Sequence, residues 1–171
     1  MEPTYKDLLV ALSDITPEEA LNELQENPNH ELKEQYEQII KKHPYYAYCY
    51  ASEVIKGRWI EAEDVIKTDP DYAYCYAIDV IKGRWIEVEN YIKKHPLLHR
   101  YAYYYVRDVI KGRWPEAEDI IKKDPEYAYE YALHVIKGRW PEAEPYIKTD
   151  PRYAYYYAKE VIKDENFWDN N

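Results

Sequence analysis

One string of residues recurs five times along this chain, and that recurrence limits the fold more than any other feature of the sequence. Each copy begins with Tyr-Ala, and four copies continue to Val-Ile-Lys-Gly-Arg-Trp. The copies start at Tyr46, Tyr72, Tyr101, Tyr127 and Tyr153. The prolines that precede them are separated by 26, 26, 29 and 26 residues, the longer step being an insertion of Leu97-Leu98-His99. Self-similarity at such a period is typical of stacked helical repeats.

Each repeat is predicted to contain two helices. The first begins at its proline, usually after an aspartate that can cap the helix. We expect this helix to end at a glycine in the left-handed conformation, which costs glycine the least. The glycines concerned are Gly57, Gly83, Gly112 and Gly138. The second helix opens after Trp, and Pro145 is expected to delay or distort it in the fourth repeat.

Helical periodicity separates the two helices of a repeat. In the first, Tyr, Ala, Val and Ile cover a wide arc, which predicts burial on most sides. In the second, the apolar stripe is narrow, as in Ala117, Ile120 and Ile121. These patterns predict an all-α fold, a right-handed α-solenoid of about five 26-residue helix-turn-helix repeats with helical caps. We expect one domain over residues 1–171, with an N-terminal cap (1–43), the repeats (44–163) and a C-terminal tail (164–171).

The charge lies mostly in the terminal segments. The chain has a formal net charge of −10, yet residues 44–163 hold 19 basic and 20 acidic residues and are nearly neutral. No apolar run is long enough to span a membrane, and the N-terminus lacks a signal-peptide pattern. The two cysteines, Cys49 and Cys75, form no C-x-x-C motif. We therefore expect a cytoplasmic location and no membrane partner.

The repeat resembles a known viral pattern. Its string, roughly Y-A-x-x-Y-A-x-x-V-I-K-G-R-W-P-E-A-E-x-x-I-x-x-D-P, resembles tyrosine-rich short helical repeats of bacteriophage and giant-virus proteins over about residues 44–163. The resemblance implies a helical array, a viral origin and hence the host cytoplasm, and it implies no reaction mechanism. The general plan is also similar to tetratricopeptide and Sel1-like arrays, with a shorter unit.

Differences among the five copies indicate where a partner binds. Positions that are identical in every copy are expected to maintain the fold, so positions that differ are available for recognition. On the first helix the differing positions share one face, where tyrosines, an isoleucine, a leucine and two thiols are unusual on a solvated surface. An invariant lysine extends this face by one helical turn in each copy. We call the face with this extension the strip and define it by Cys49, Cys75, Ile78, Arg100, Tyr104, Arg107, Lys111, Leu133, Arg152, Tyr156 and Lys159.

Three binding functions remain open at this point. A protein partner is favoured, because Tyr and Arg are common anchors of protein interfaces; with the viral resemblance, this predicts a protein that binds and inhibits a host defence factor. Single-stranded nucleic acid could stack on the tyrosines, although the net charge disfavours it. Acidic mimicry of nucleic acid is the third function. The arginines of the Lys-Gly-Arg-Trp turns are expected to pair inside the repeat with Glu61, Glu87, Glu116 and Glu142, or to stack on aromatic rings of the repeat.

Catalysis, metals and cofactors have little support in the sequence. There is no glycine-rich phosphate loop, and the glycines occur singly. His95 and His99 have a metal-like spacing, but Pro96 follows His95, and both His95 and His43 stand where other repeats have a capping aspartate. We therefore expect no enzyme activity, no metal and no cofactor. The inserted Leu97 and Leu98 either form a homodimer contact or pack against the neighbouring helix.

Overall fold

The computed structural model describes residues 14–95 and 97–169, and every regular element in those residues is helical. The prediction of an all-α fold is confirmed. The chain divides after Lys82 into two compact units, which are described one at a time. The right-handed superhelix predicted for the repeats as a whole stays a prediction.

The described part of the first unit, residues 14–82, contains five α-helices. Helices α1 (Pro17–Glu26) and α2 (Lys33–Ile40) precede the repeats. Helix α3 (Pro44–Cys49) continues as a π-helical segment, Tyr50–Ile55, and is followed by α4 (Ile60–Ile66). Helix α5 (Pro70–Tyr76) continues in the same way through Ala77–Ile81.

The second unit repeats this alternation from α6 to α11. Its second-type helices are α6 (Ile86–Lys94), α8 (Pro115–Ile121) and α10 (Glu144–Ile147). Its first-type helices are α7 (His99–Tyr105), α9 (Pro125–Tyr131) and α11 (Pro151–Tyr156), which continue as the π-helical segments Val106–Ile110, Ala132–Ile136 and Tyr157–Ile162. A 3₁₀ turn, Phe167–Asp169, follows.

Helix packing within the second unit follows chain order. Helix α9 packs against both α7 and α11, and α6 packs against α8. The alanines of the first-type helices, Ala102, Ala128 and Ala154, are buried and allow this close approach. In α8 the narrow stripe of Ala117, Ile120 and Ile121 is buried, as predicted.

Aspartate caps begin several helices as predicted. Asp124 accepts hydrogen bonds from the backbone N–H groups of Glu126 and Tyr127, at 3.0 and 3.3 Å. Asp69 and Asp150 do the same for α5 and α11. Thr16 and Glu19 form the reciprocal bonds of a capping box at the start of α1.

Neither of the two histidines expected to act as caps forms a side-chain cap at the start of a helix, although His95 is the C-terminal cap residue of α6 and its Nδ1 lies 2.7 Å from the Tyr91 carbonyl oxygen. His43 occupies the position before α3 but makes no capping hydrogen bond, and its ring lies edge-on to Tyr46. His95 follows the end of α6, where its ring stacks on Tyr91 at 4.0 Å between centroids. Because the insertion intervenes, the next helix begins later, at His99 after Leu98.

The helix ends correct another prediction. The left-handed residues are the lysines, with φ between 56° and 67°, and no glycine in the described chain has positive φ. In each case the lysine N–H bonds a carbonyl five residues earlier, which closes the wide π-helical turn before the glycine is reached. The five residues are Lys56, Lys82, Lys111, Lys137 and Lys163.

Pro145 has the predicted effect. Helix α10 begins only at Glu144 and covers four residues, after a turn at Pro141–Ala143. The corresponding helix of the preceding repeat, α8, begins directly at Pro115. Pro145 has no N–H to donate, so it is accommodated in the first turn of a helix that starts late.

Candidate partner-binding surface

The Lys-Gly-Arg-Trp turns are held by an internal ion pair. Arg84 donates from Nε and Nη2 to the two carboxylate oxygens of Glu89, at 2.7 and 2.6 Å, and Glu89 is only 3% exposed. These bonds raise the pKa of Arg84. The equivalent pairs are Arg58–Glu63, Arg113–Glu118 and Arg139–Glu144. The predicted partners, Glu61, Glu87, Glu116 and Glu142, were wrong: the acid lies five residues after the arginine, on the inward face of the second helix.

A buried tyrosine from the following first helix completes each turn. The Tyr105 hydroxyl accepts the backbone N–H of Trp85 at 2.6 Å and donates to Glu89 at 3.3 Å. Burial and then the nearby carboxylate of Glu89 raise the pKa of Tyr105. The same bonds join Tyr76 to Trp59, Tyr131 to Trp114 and Tyr157 to Trp140. We call this repeated set of Arg, Glu, Trp and Tyr the turn network; it engages the arginines within the protein.

A second set of tyrosines links successive first helices. In the first unit, the Tyr48 hydroxyl donates to Asp79 at 2.6 Å. In the second unit, Tyr129 donates to Glu160 at 2.7 Å. Tyr103 is at the same repeat position but donates to Glu130 at 3.2 Å, because His134 stands where the other repeats have an acid. We call these bonds the tyrosine ladder.

In the first unit, the strip residues are largely covered. Cys49 is only 6% exposed, while Cys75 and Ile78 are half-buried. Burial is the main cause that raises the pKa of both thiols, so neither is activated as a nucleophile. The two cysteines are free thiols.

In the second unit, the strip lies at the surface. Tyr104 and Leu133 are half-buried, and the other members are exposed: Arg100, Arg107, Lys111, Arg152, Tyr156 and Lys159. The Arg107 guanidinium lies 4.7 Å from the Tyr104 ring centre and donates two hydrogen bonds to Asp108, at 2.7 and 2.6 Å. These contacts hold Arg107 and Tyr104 in a fixed arrangement.

Sequence comparison of the repeats missed one member of this surface. Tyr155 is 45% exposed, its ring lies 5.8 Å from that of Tyr156, and its hydroxyl accepts a hydrogen bond from Lys159 at 3.1 Å. The position is tyrosine in all five copies, and the other four are Tyr48, Tyr74, Tyr103 and Tyr129. A search for positions that differ among the copies therefore excluded it. The missed signal was position: this tyrosine lies in the last repeat of the chain.

A cationic groove opens at the edge of the strip and includes two strip residues, Arg107 and Lys111. It has a volume of about 230 Å³ and is lined by Arg107, Lys111, Gly112, His134 and Lys137, together with two valines. Two acids lie next to this lining: Asp108 pairs with Arg107, and Glu130 lies 3.3 Å from Nε2 of His134. We call this cavity the Lys111 groove.

The inserted leucines differ in exposure. Leu97 is 85% exposed, whereas Leu98 is half-buried and directly precedes α7. Residues 14–95 and 97–169 contain no group of three His, Cys, Asp or Glu side chains that could hold a metal ion. No helix in these ranges has the length and apolar character needed to cross a bilayer.

Comparisons with protein-family models, curated proteins and solved structures found no match to this chain.

Proposed function

We propose that this chain is a non-catalytic repeat module whose strip binds another protein. The proposal depends on how the structure uses identical and differing positions of the repeat. The arginine and tryptophan that every turn shares are engaged in the turn network, whereas most of the differing residues of the second unit lie at the surface. A surface that varies in composition over an invariant internal frame is the arrangement by which repeat proteins distinguish partners.

The chemistry of the exposed strip supports a protein partner. Tyrosine and arginine are enriched among the residues that dominate binding energy at protein interfaces. Arg107 is already oriented by Tyr104 and Asp108, so less side-chain entropy is lost when a partner binds. Tyr155, Tyr156 and Lys159 form a second such group.

Nucleic-acid binding has weaker support. The arginines of the turns form bidentate pairs with glutamates, so they do not add to a basic surface. The chain carries a formal net charge of −10, and binding to phosphate backbones requires a concentrated positive charge. The proposal of acidic mimicry finds no specific support in the geometry.

The resemblance of the repeat to viral proteins extends this proposal to a host protein as the partner, with inhibition of that protein as the consequence. The experiment is affinity capture from bacterial and eukaryotic lysates by the tagged full chain, with and without nuclease, identified by mass spectrometry. The strip variant carries alanine at Tyr104, Arg107, Tyr156 and Lys159.

A matched control carries alanine at four exposed residues in the second-type helices or in the turn directly before one: Lys93, Lys94, Glu116 and Glu142. We expect a protein that survives nuclease treatment, binds the control variant and is lost from the strip variant. Capture that disappears with nuclease would show nucleic-acid binding instead. Equal capture by both variants, each folded as judged by circular dichroism, would refute the assignment of the strip.

A further inference from the structure

The lysines of the Lys111 groove adopt a backbone conformation that glycine would adopt at lower cost. Lys111 and Lys137 have φ of 56° and 59°. For a residue with a Cβ, a left-handed conformation is strained, and such outliers concentrate at functional sites. The adjacent glycines do not adopt the left-handed conformation in place of the lysines, since Gly112 and Gly138 have no positive φ.

The lysine side chains have no visible structural partner. Neither the Lys111 nor the Lys137 ammonium forms a hydrogen bond or an ion pair with any described residue. A positive charge near the C-terminal end of a helix interacts favourably with the helix dipole. A lysine at any position of the last turn would supply that charge, so the dipole does not explain why lysine occupies the left-handed position itself.

The glycine beside Lys111 leaves the backbone open on the same side. A Cβ built on Gly112 would meet no atom within 4 Å, so neither packing nor a left-handed backbone requires glycine there. Gly112 lines the groove together with both lysines. Its missing side chain gives a bound group direct access to the peptide backbone.

This groove also lacks an acid that corresponding positions carry. His134 occupies the position of Asp79 in the first unit and of Glu160 in the last repeat. Those acids accept ladder bonds of 2.6 and 2.7 Å, whereas Tyr103 must turn to Glu130 at 3.2 Å. The repeat therefore loses a short ladder bond, and the groove lining has a histidine at a position where other repeats have a carboxylate.

We propose that the Lys111 groove binds a carboxylate from an acidic segment of the partner protein. Lys111 and Lys137 supply the positive charges, while Gly112 allows a close approach. Arg107 and His134 complete the lining, each next to its own acid, Asp108 and Glu130. This inference rests on the proposed function and specifies the chemistry of the partner at one place beside the strip.

The test uses a fluorescein-labelled decaglutamate peptide and the full chain, titrated by fluorescence anisotropy at low ionic strength. In the first variant, Lys111→Gly and Lys137→Gly, we expect the affinity to fall by about tenfold or more, because two charged donors are removed. Thermal unfolding of this variant should occur at or above the wild-type temperature, since glycine relieves the backbone strain. If this variant binds the peptide more weakly but is as stable as the wild type, the two lysines act on the ligand and not only on the structure.

Two further variants sharpen the test. Lys56→Gly with Lys82→Gly makes the same backbone change in the first unit, where Asp79 replaces the histidine, and should leave peptide affinity within about twofold. His134→Glu should restore the ladder acid for Tyr103, keep the protein stable and weaken the peptide severalfold by like-charge repulsion.

Several results would overturn the inference. If Lys111→Gly with Lys137→Gly leaves the peptide affinity unchanged, these lysines only end their helices and bind no ligand. If the first-unit variant loses the same amount of peptide affinity, the attraction is non-specific. A labelled deca-deoxythymidine that binds more tightly than the peptide would assign the groove to nucleic acid. Absence of any peptide binding would refute the acidic ligand, while capture through the strip would still decide the proposed function separately.

Discussion

At the scale of single residues, hydroxyl groups explain why this chain uses tyrosine so heavily. It contains 22 Tyr and one Phe. The side chains of Tyr50, Tyr76, Tyr105, Tyr131 and Tyr157 are fully buried, and each hydroxyl has a partner in the protein. Phenylalanine would fill the same volume but, at every one of these positions except Tyr50, would leave a turn N–H without an acceptor.

Removing one of these hydroxyls should be costly. In Tyr105→Phe, the Trp85 N–H loses its acceptor and Glu89 loses a donor within a buried site. We expect the free energy of unfolding to fall by about 1–3 kcal/mol, measured by urea denaturation. Tyr156→Phe is the control and should change stability by less than about 0.5 kcal/mol, because Tyr156 is exposed. Equal effects of the two changes would contradict the turn network.

Alkaline pH should unfold the protein through the same tyrosines. Burial raises the pKa of Tyr105 above its ordinary value near 10, so the unfolded chain releases this proton at lower pH than the folded chain. The stabilisation is therefore complete below about pH 10 and is lost as pH rises through the folded pKa. Urea denaturation at a series of pH values from 8 to about 11.5 should show a steep decline that becomes shallower in Tyr105→Phe. Parallel curves for the two proteins would refute this assignment.

At the scale of elements, the first-type helices are defined by how they end. Each passes from α-helical to π-helical bonding, so the last N–H groups reach back to one carbonyl. In α3, the N–H groups of Lys56 and Gly57 both bond to the Ala51 carbonyl. This widened turn places the left-handed residue at lysine and leaves the glycine in an ordinary conformation.

A glycine substitution tests this helix end. In Gly138→Ala, the added methyl meets no atom within 4 Å and the backbone has no positive φ. We expect unfolding free energy to rise by about 0.4–1 kcal/mol, because alanine reduces the freedom of the unfolded chain. A loss of about 1 kcal/mol in chemical denaturation would instead indicate a left-handed glycine, as the sequence alone predicted.

The helix starts provide a matched pair of variants. Asp124 accepts two backbone N–H groups at the start of α9, whereas His43 accepts none at the start of α3. We expect Asp124→Ala to lower unfolding free energy by about 1 kcal/mol. His43→Ala should have less than half of that effect in the same denaturation experiment. A larger loss for His43→Ala would show that its ring contact with Tyr46 matters more than capping.

At the scale of the whole molecule, the insertion is the one break in the repeat spacing. Of its two leucines, one is exposed to solvent. Leu97 is 85% exposed, and Leu98 is half-buried at the start of α7. Stable protein interfaces bury about 1,200 Å² or more, so one leucine contributes only a small part of such an area. Packing of Leu98 against the neighbouring helix is therefore the better supported of the two alternatives.

The mass of the protein in solution distinguishes a homodimer contact from packing within the chain. We expect Leu97→Gln to leave both the mass measured by light scattering and the melting temperature unchanged. Leu98→Gln, in contrast, should lower stability by about 1 kcal/mol, because it places a polar group in a half-buried apolar site. If the wild-type chain is a dimer and Leu97→Gln is a monomer, the homodimer contact predicted from the sequence is correct.

The sequence by itself determined the helical repeats, because the 26-residue period, the proline starts and the apolar arcs are local signals. It also indicated the strip, since copies of a repeat can be compared within one chain. It misplaced the left-handed residue and the glutamate partner of each turn arginine. Both depend on bonds that close over five residues or between helices, and such bonds follow from the packed backbone rather than from residue preference.

Only the tertiary structure decided which strip residues a partner can reach. Cys49 and Tyr156 occupy the same repeat position, yet Cys49 is 6% exposed and Tyr156 is 38% exposed. Exposure depends on the neighbours of a helix, and the sequence of one repeat does not contain those neighbours. For the same reason, the Lys111 groove could not be predicted: Arg107, Lys111 and His134 come from two repeats, and only packing brings them together.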